Sequence, residues 1–326
     1  MTRVAAIDCG TNSIRLLIAD LDGQGGLQDV VRTLELVRLG EGVDRTGRFS
    51  VGALERTLAA TSRYAALCRE HGVERIRFVA TSATRDAANR AEFTDAVYDI
   101  LGVPAEVIAG TEEAALSFRG ALTAVTGQKD DSEDNVARHL VVDLGGGSTE
   151  LVLGGSTPDA AYSMDVGCVR LTERHILSDP PLEAELAAIR RDVNAALDTA
   201  AGTVDLAQAT DVIGVAGTIT TITGHALGLS KYDPVAINSS RVPFDDVLIS
   251  CTALSSMTRA ERAALPYMHP GRVDVIAAGG IIWSTSLTRI AQATADSAAP
   301  LAFVTTSEHD ILDGVALSLA PRHDVR

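Results

Sequence analysis

Two short segments of this chain put an aspartate, small residues and hydroxyls at a point where the backbone must reverse. The first runs Val4-Ala5-Ala6-Ile7-Asp8-Cys9-Gly10-Thr11-Asn12-Ser13-Ile14-Arg15-Leu16-Leu17-Ile18. The second runs Leu140-Val141-Val142-Asp143-Leu144-Gly145-Gly146-Gly147-Ser148-Thr149-Glu150-Leu151-Val152-Leu153. Aligned, Asp8 falls on Asp143, Gly10 on Gly145, Ser13 on Ser148 and Leu16 on Leu151. Glycine allows the backbone to approach a ligand closely. Successive N–H groups in such a turn make a concave anion site. An aspartate at the strand end repels phosphate unless a cation lies between them, so Mg²⁺ is expected. Two such loops facing each other would clamp a chain of phosphates from both sides.

The same spacing excludes other phosphate binders. A Walker loop needs Gly-x-x-x-x-Gly-Lys-Ser/Thr, and neither copy carries a lysine. A dinucleotide fold uses one glycine-rich turn that opens a helix. Here both turns lead into β-type runs, Ile14 to Ile18 and Glu150 to Leu153. A duplicated strand–turn–strand phosphate loop resembles the actin-like, sugar-kinase-like ATPase architecture. The expected fold is therefore α/β, with two actin-like domains around a central cleft. The first domain takes residues 1–126 plus 302–326 and the second 127–301.

Composition narrows the partners. The chain has 326 residues, enough for two domains each with its own core. With 28 basic and 43 acidic residues the net charge is −15, which argues against a nucleic-acid surface. Positive charge must then be local, from a metal ion, amide nests and arginines. Lys129 and Lys231 are the only lysines, and arginine suits bidentate phosphate contact. Apolar runs are broken before a membrane-spanning length, and Asp8 interrupts the first of them, so neither a membrane segment nor a signal peptide is expected. Cys9, Cys68, Cys168 and Cys251 lie far apart and read as reduced, buried cytosolic thiols.

Around the loops, the periodicity predicts a third strand at Asp29 to Leu36, a helix from Val51 to His71, and a strand at Arg75 to Ala80. A helix follows at Asn89 to Leu101, then a short strand at Val107 to Ala109 and a helix opened by Gly110. The second half repeats this plan. It has a third strand at Ala160 to Met164, a helix from Leu182 to Ala201, and a strand at Asp211 to Ala216 leading through Gly217-Thr218 into a helix. Further helices are expected at Phe244 to Leu254, Arg259 to Leu265 and Val273 to Arg289. A last strand is expected at Leu301 to Val304 and a final helix at Glu308 to Leu319. The acidic stretch 128–135 reads as a solvated loop between the domains.

Three further segments carry candidate chemistry. Ala80 to Ala87 follows a strand and puts Arg85 on the connection, where binding residues gather. Glu112 and Glu113 open a helix, a place where acidic residues are also favoured for electrostatic reasons alone. Gly214 to Thr221 is a glycine turn into a helix, suited to an anion or to closing a βα connection. The histidines lie far apart, without metal-ligand spacing.

Together these segments resemble the exopolyphosphatase and guanosine-pentaphosphate phosphatase family over nearly the whole chain. The first loop resembles its Asp-x-Gly-x-Asn-Ser pattern, and Ala80 to Ala87 its Ala-Thr-Ser-Ala-x-Arg-Asp-Ala. Ile108 to Ala114 is similar to its Ile-Ser-Gly-x-Glu-Glu-Ala, with Ala109 in place of serine. Asp143 to Glu150 is identical to its Asp-Leu-Gly-Gly-Gly-Ser-Thr-Glu. Val166 to Glu173 and Arg272 to Gly280 resemble two more of its motifs. The chain departs at Ile311-Leu312-Asp313-Gly314-Val315, where the family often has Leu-Arg-Glu-Gly-Val, and the helical domains that longer relatives append are not expected here.

The resemblance implies roles. Glu113, rather than Glu112, would be the base that deprotonates water. Asp143, with Asp8 opposite, would hold Mg²⁺ (or Mn²⁺) directly or through water, and Glu150 would be catalytic and help to position metal or nucleophile. Gly145, Gly146, Gly147 and Ser148 would bind terminal phosphoryl oxygens, with Thr11, Asn12, Ser13 and Arg85 gripping from the first domain. The expected activity is release of terminal orthophosphate from inorganic polyphosphate by a cytoplasmic homodimer. Guanosine pentaphosphate hydrolysis needs the same residues plus a nucleoside pocket. An actin-like ATP-binding module would need an adenosine pocket near Gly279-Gly280.

Overall fold

The computed structural model describes residues 1–22, 26–125 and 137–320, so the acidic stretch 128–135 lies outside the described residues. The chain divides into two compact units, Met1–Gly120 with Ile311–Arg326, and Ala121–Asp310.

In the first unit, β1 (Thr2–Cys9), β2 (Ser13–Leu21) and β3 (Leu27–Leu36) form an antiparallel meander. β4 (Arg75–Ala80) and β5 (Ala105–Val107) add in parallel, giving the order β3-β2-β1-β4-β5. The central strands are apolar on both faces because helices cover both. Ala5, Ile7 and Cys9 of β1 enter one core with Phe78 and Phe93, while Val4 and Ala6 enter another with Leu312 and Val315. Burial of each such Ile, Leu or Phe contributes roughly 1.5–3 kcal/mol, so the sheet that carries the first loop is stiff. Tyr64, on the Val51–Glu70 helix, donates its hydroxyl to the Ile14 carbonyl at 3.0 Å and ties that helix to the strand leaving the loop.

The second unit repeats this plan. Its strands are β6 (His139–Leu144), β7 (Thr149–Gly154), β8 (Pro158–Met164), β9 (Asp211–Val215), β10 (Ser240–Pro243) and β11 (Phe303–Thr306), ordered β10-β11-β9-β6-β7-β8. Read from β8 to β11, the order matches β3 to β5 of the first unit, and β10 adds an antiparallel edge. The duplicated actin-like α/β plan expected from the repeat is therefore present. Trp283, fully buried on the Ile276–Thr294 helix, sits in the core of this unit.

The last strand differs from the sequence reading. It covers Phe303–Thr306, where the reading had Leu301 to Val304 and gave most of it to the first domain. Its parallel ladder to β9 and antiparallel ladder to β10 make it part of the second sheet, so the unit boundary falls at Asp310/Ile311. Short helices at Val43–Thr46, Ser82–Asp86, Cys168–His175 and Pro234–Ile237, and the strand β10, were also not foreseen. Ser82–Asp86 and Cys168–His175 are too short to show helical periodicity in the sequence.

Candidate active site

Each loop joins two strands with the same closure. Gly10 donates its N–H to the Ser13 carbonyl at 3.0 Å, and Gly145 donates to the Ser148 carbonyl at 3.0 Å. Asp8 and Asp143 end β1 and β6, facing Arg15 on β2 and Glu150 on β7 in equivalent registers. The repeat is thus preserved down to the hydrogen bond that closes each turn.

The charges beside the two aspartates differ. In the first unit Arg15 reaches Asp8 with Nη2 at 2.6 Å and Nε at 3.0 Å, both on Oδ2, in an ion pair. In the second unit Glu150 stands at the Arg15 position, so the loop carries two carboxylates. Asp143 is 6% exposed and Glu150 1%. Ser163 donates its hydroxyl to Glu150 Oε1 at 2.7 Å and fixes that carboxylate's direction. Two adjacent oxygen-only acids suit a hard cation such as Mg²⁺, which takes one or two carboxylates and fills its octahedron with water and phosphate oxygens. No group of three or more His, Cys, Asp or Glu that could hold a metal ion occurs among the described residues. The signal that separates the loops was present in the sequence, since the same alignment sets Arg15 on Glu150.

The tri-glycine loop presents donors. The N–H groups of Gly146, Gly147 and Ser148 have no protein acceptor among the described residues, so three adjacent dipoles remain for an anion. Ser148 is itself buried beside them. In the first loop Thr11 and Asn12 are buried and Ser13 half-buried.

Glu113 and Glu112 open the Gly110–Val125 helix and point to different partners. Glu112 pairs with Arg77 at 2.6 Å on the surface. Glu113 is 8% exposed and accepts from Arg85 Nη1 at 2.6 Å. Arg85 Nη1 also donates to the Ile108 carbonyl at 3.0 Å. Burial, with the negative charge of Asp8 adding to it, pushes the Glu113 carboxyl up to about 7 against the lowering pull of Arg85 and the Thr81 hydroxyl. A carboxylate titrating near neutrality is what proton abstraction from water requires. The sequence reading assigned Arg85 to substrate. Here its Nη1 is committed to the candidate base, through a contact between residues 28 apart that no local pattern encodes.

Gly279 and Gly280 lie inside the Ile276–Thr294 helix, both fully buried. A Cβ on Gly279 would run into the Thr218 side chain, and one on Gly280 would meet Ser255 Oγ at 2.7 Å and the Cys251 carbonyl at 3.1 Å. These glycines serve close helix packing.

A model of the Ppx/GppA phosphatase family matches residues 17–302. The chain is 51% identical over 328 residues to Exopolyphosphatase 2 of Mycobacterium tuberculosis, covering 98% of this chain and 99% of that protein. Among solved structures, an exopolyphosphatase-like protein superposes with a TM-score of 0.91 at 45% identity, covering 98% of this chain and 99% of the other. An exopolyphosphatase from Cytophaga hutchinsonii gives a TM-score of 0.83 at 25% identity, covering 98% of each.

Proposed function

The chain belongs to the Ppx/GppA phosphatase family, and we propose that it is an exopolyphosphatase that releases terminal orthophosphate from inorganic polyphosphate. Glu113 carries the reading, as a buried carboxyl whose protonation changes near neutral pH and whose direction is set by Arg85. In the reaction, a water oxygen bonds to the terminal phosphorus while the bridging P–O bond breaks. The water proton passes to Glu113, and the shortened chain leaves as the oxyanion.

Phosphoryl transfer passes through a loose transition state, so positioning and charge neutralisation do most of the work. The Gly146, Gly147 and Ser148 amides hold the terminal phosphoryl oxygens, with Gly145 closing the turn. Thr11, Asn12 and Ser13 supply the polar groups of the first loop. Asp143 and Glu150 are the residues that would hold Mg²⁺ or Mn²⁺, which would supply neutralisation of phosphate charge. Asp8, already paired with Arg15, contributes its field on Glu113. The 51% identity over nearly the full length to Exopolyphosphatase 2 supports polyphosphate over guanosine pentaphosphate or ATP.

The test is orthophosphate release measured side by side on short polyphosphate, long polyphosphate, guanosine pentaphosphate and ATP, with and without Mg²⁺. Metal-dependent release from polyphosphate is the expected result, and release from guanosine pentaphosphate alone would transfer the assignment to the nucleotide. A homodimer in the cytoplasm completes the reading, checked by light scattering and fractionation.

A further inference from the structure

Both phosphate loops are braced from behind, each by the stretch that follows the third strand of its unit. In the second unit this is the stretch after β8. Cys168 donates its N–H to the Gly145 carbonyl at 3.1 Å, and Val169 and Arg170 donate theirs to the Gly146 carbonyl at 2.9 and 3.1 Å. The Arg170 side chain adds Nε to the Gly147 carbonyl at 2.7 Å. In the first unit the stretch after β3 does the same. Val37 and Arg38 donate to the Asn12 carbonyl at 3.2 and 2.9 Å, and Gly40 donates to the Thr11 carbonyl at 2.8 Å.

The correspondence centres on one loop position. With Asp8 on Asp143, Thr11 falls on Gly146 and Asn12 on Gly147. The Thr11 and Gly146 carbonyls each accept from backbone N–H groups, the Asn12 carbonyl accepts from backbone where Gly147 accepts from Arg170 Nε, and Cys168 holds the Gly145 carbonyl in addition. Each brace also contains one glycine pressed against the same loop position. A Cβ on Gly40 would overlap the Thr11 side chain, and a Cβ on Gly167 would overlap the Gly146 carbonyl. Gly167 has φ −143°, an ordinary extended value, so lack of room excludes a side chain there.

A peptide plane with its carbonyl held on one side must aim the neighbouring N–H groups to the other. Fixed dipoles that need no reorganisation during the reaction are the most effective form of charge stabilisation. We propose that the segments Val37–Gly40 and Gly167–Arg170 are paired carbonyl clamps that aim the loop amides at phosphate, and that Arg170 is a positioning residue of the second loop. This rests on the reading of the loops as phosphate sites. The N–H groups at the start of the Cys168–His175 helix are thereby spent on the loop, and Arg170 acts through its Nε bond rather than as a cation on substrate.

The experiment uses the full chain labelled with ¹⁵N-glycine and titrated with inorganic orthophosphate, following the Gly146 and Gly147 amide resonances. Kinetics on polyphosphate and the unfolding midpoint are measured in parallel. In the wild type the two resonances move with phosphate. Arg170→Met, which keeps the stem and removes the donor, is expected to need about 10-fold more phosphate for the same shift. Its kcat is expected to fall by about 10²-fold, more than KM rises, as a misplacement of 1 Å can cause. Gly167→Ala, which leaves Arg170 intact but displaces the loop, should behave alike, and it decides the question if Arg170→Met does not fold. Wild-type phosphate shifts and wild-type kcat in the folded variant would overturn the clamp. Wild-type resonances that ignore phosphate would instead overturn the phosphate-loop reading, and the clamp with it.

Discussion

Glu113 sits in a balance of opposing influences, and each can be removed by one substitution. Burial and Asp8 raise its pKa, while Arg85 and the Thr81 hydroxyl lower it. A base works only when deprotonated, so turnover should climb as pH rises through about 7. Glu113→Gln should cut kcat by about 10² to 10⁴, the usual worth of general-base assistance, and flatten that limb, while Glu112→Gln stays mild. Arg85→Ala removes a lowering influence, so the limb should move to higher pH. A rise in KM with an unmoved limb would instead give Arg85 wholly to substrate. In the second unit, Asp143→Ala or Glu150→Ala should abolish Mg²⁺-dependent phosphate release while circular dichroism stays native. Full activity of either variant would remove the metal from that pair.

Elements place these side chains through a few close contacts. The helix that carries Glu113 is met by the C-terminal helix Ile311–Ser318 at Gly314, where a Cβ would run into the Leu116 carbonyl. That C-terminal helix is pinned to β3 by Arg32, whose guanidinium reaches both oxygens of buried Asp313, at 2.5 and 3.2 Å. Leu312 lies where the family often has arginine, and it is buried in the same apolar cluster. Gly314→Ala should therefore force the two helices apart, costing about 1–3 kcal/mol and lowering kcat because Glu113 moves with its helix. Denaturant unfolding and kinetics on one sample test this. Lost stability with unchanged kcat would show that the two helices adjust without moving the base.

For the molecule as a whole, the charge opposes the proposed substrate. A net charge of −15 repels a polyanion at long range, while arginines and loop amides attract it only nearby. Salt screens the long-range part first, with a Debye length of about 10 Å at 0.1 M. kcat/KM on polyphosphate should therefore rise between about 20 and 200 mM monovalent salt at fixed Mg²⁺, opposite to an enzyme that steers its substrate. A steady fall across that range would mean that the local positive field reaches into solvent.

Much of this was legible in the residues. The strand–turn–strand repeat, the aspartate at each strand end and the glutamate pair at a helix start are local patterns, set by side-chain period, turn chemistry and capping. For that reason the element order and most candidate residues could be read directly. What only the tertiary structure decided was partner choice over long separations. Arg85 turned onto Glu113, the carbonyl clamps behind both loops and β11 joining the second sheet depend on packing between segments distant in sequence. A lone arginine or glycine carries no period, so its role appears only once the chain has closed around it.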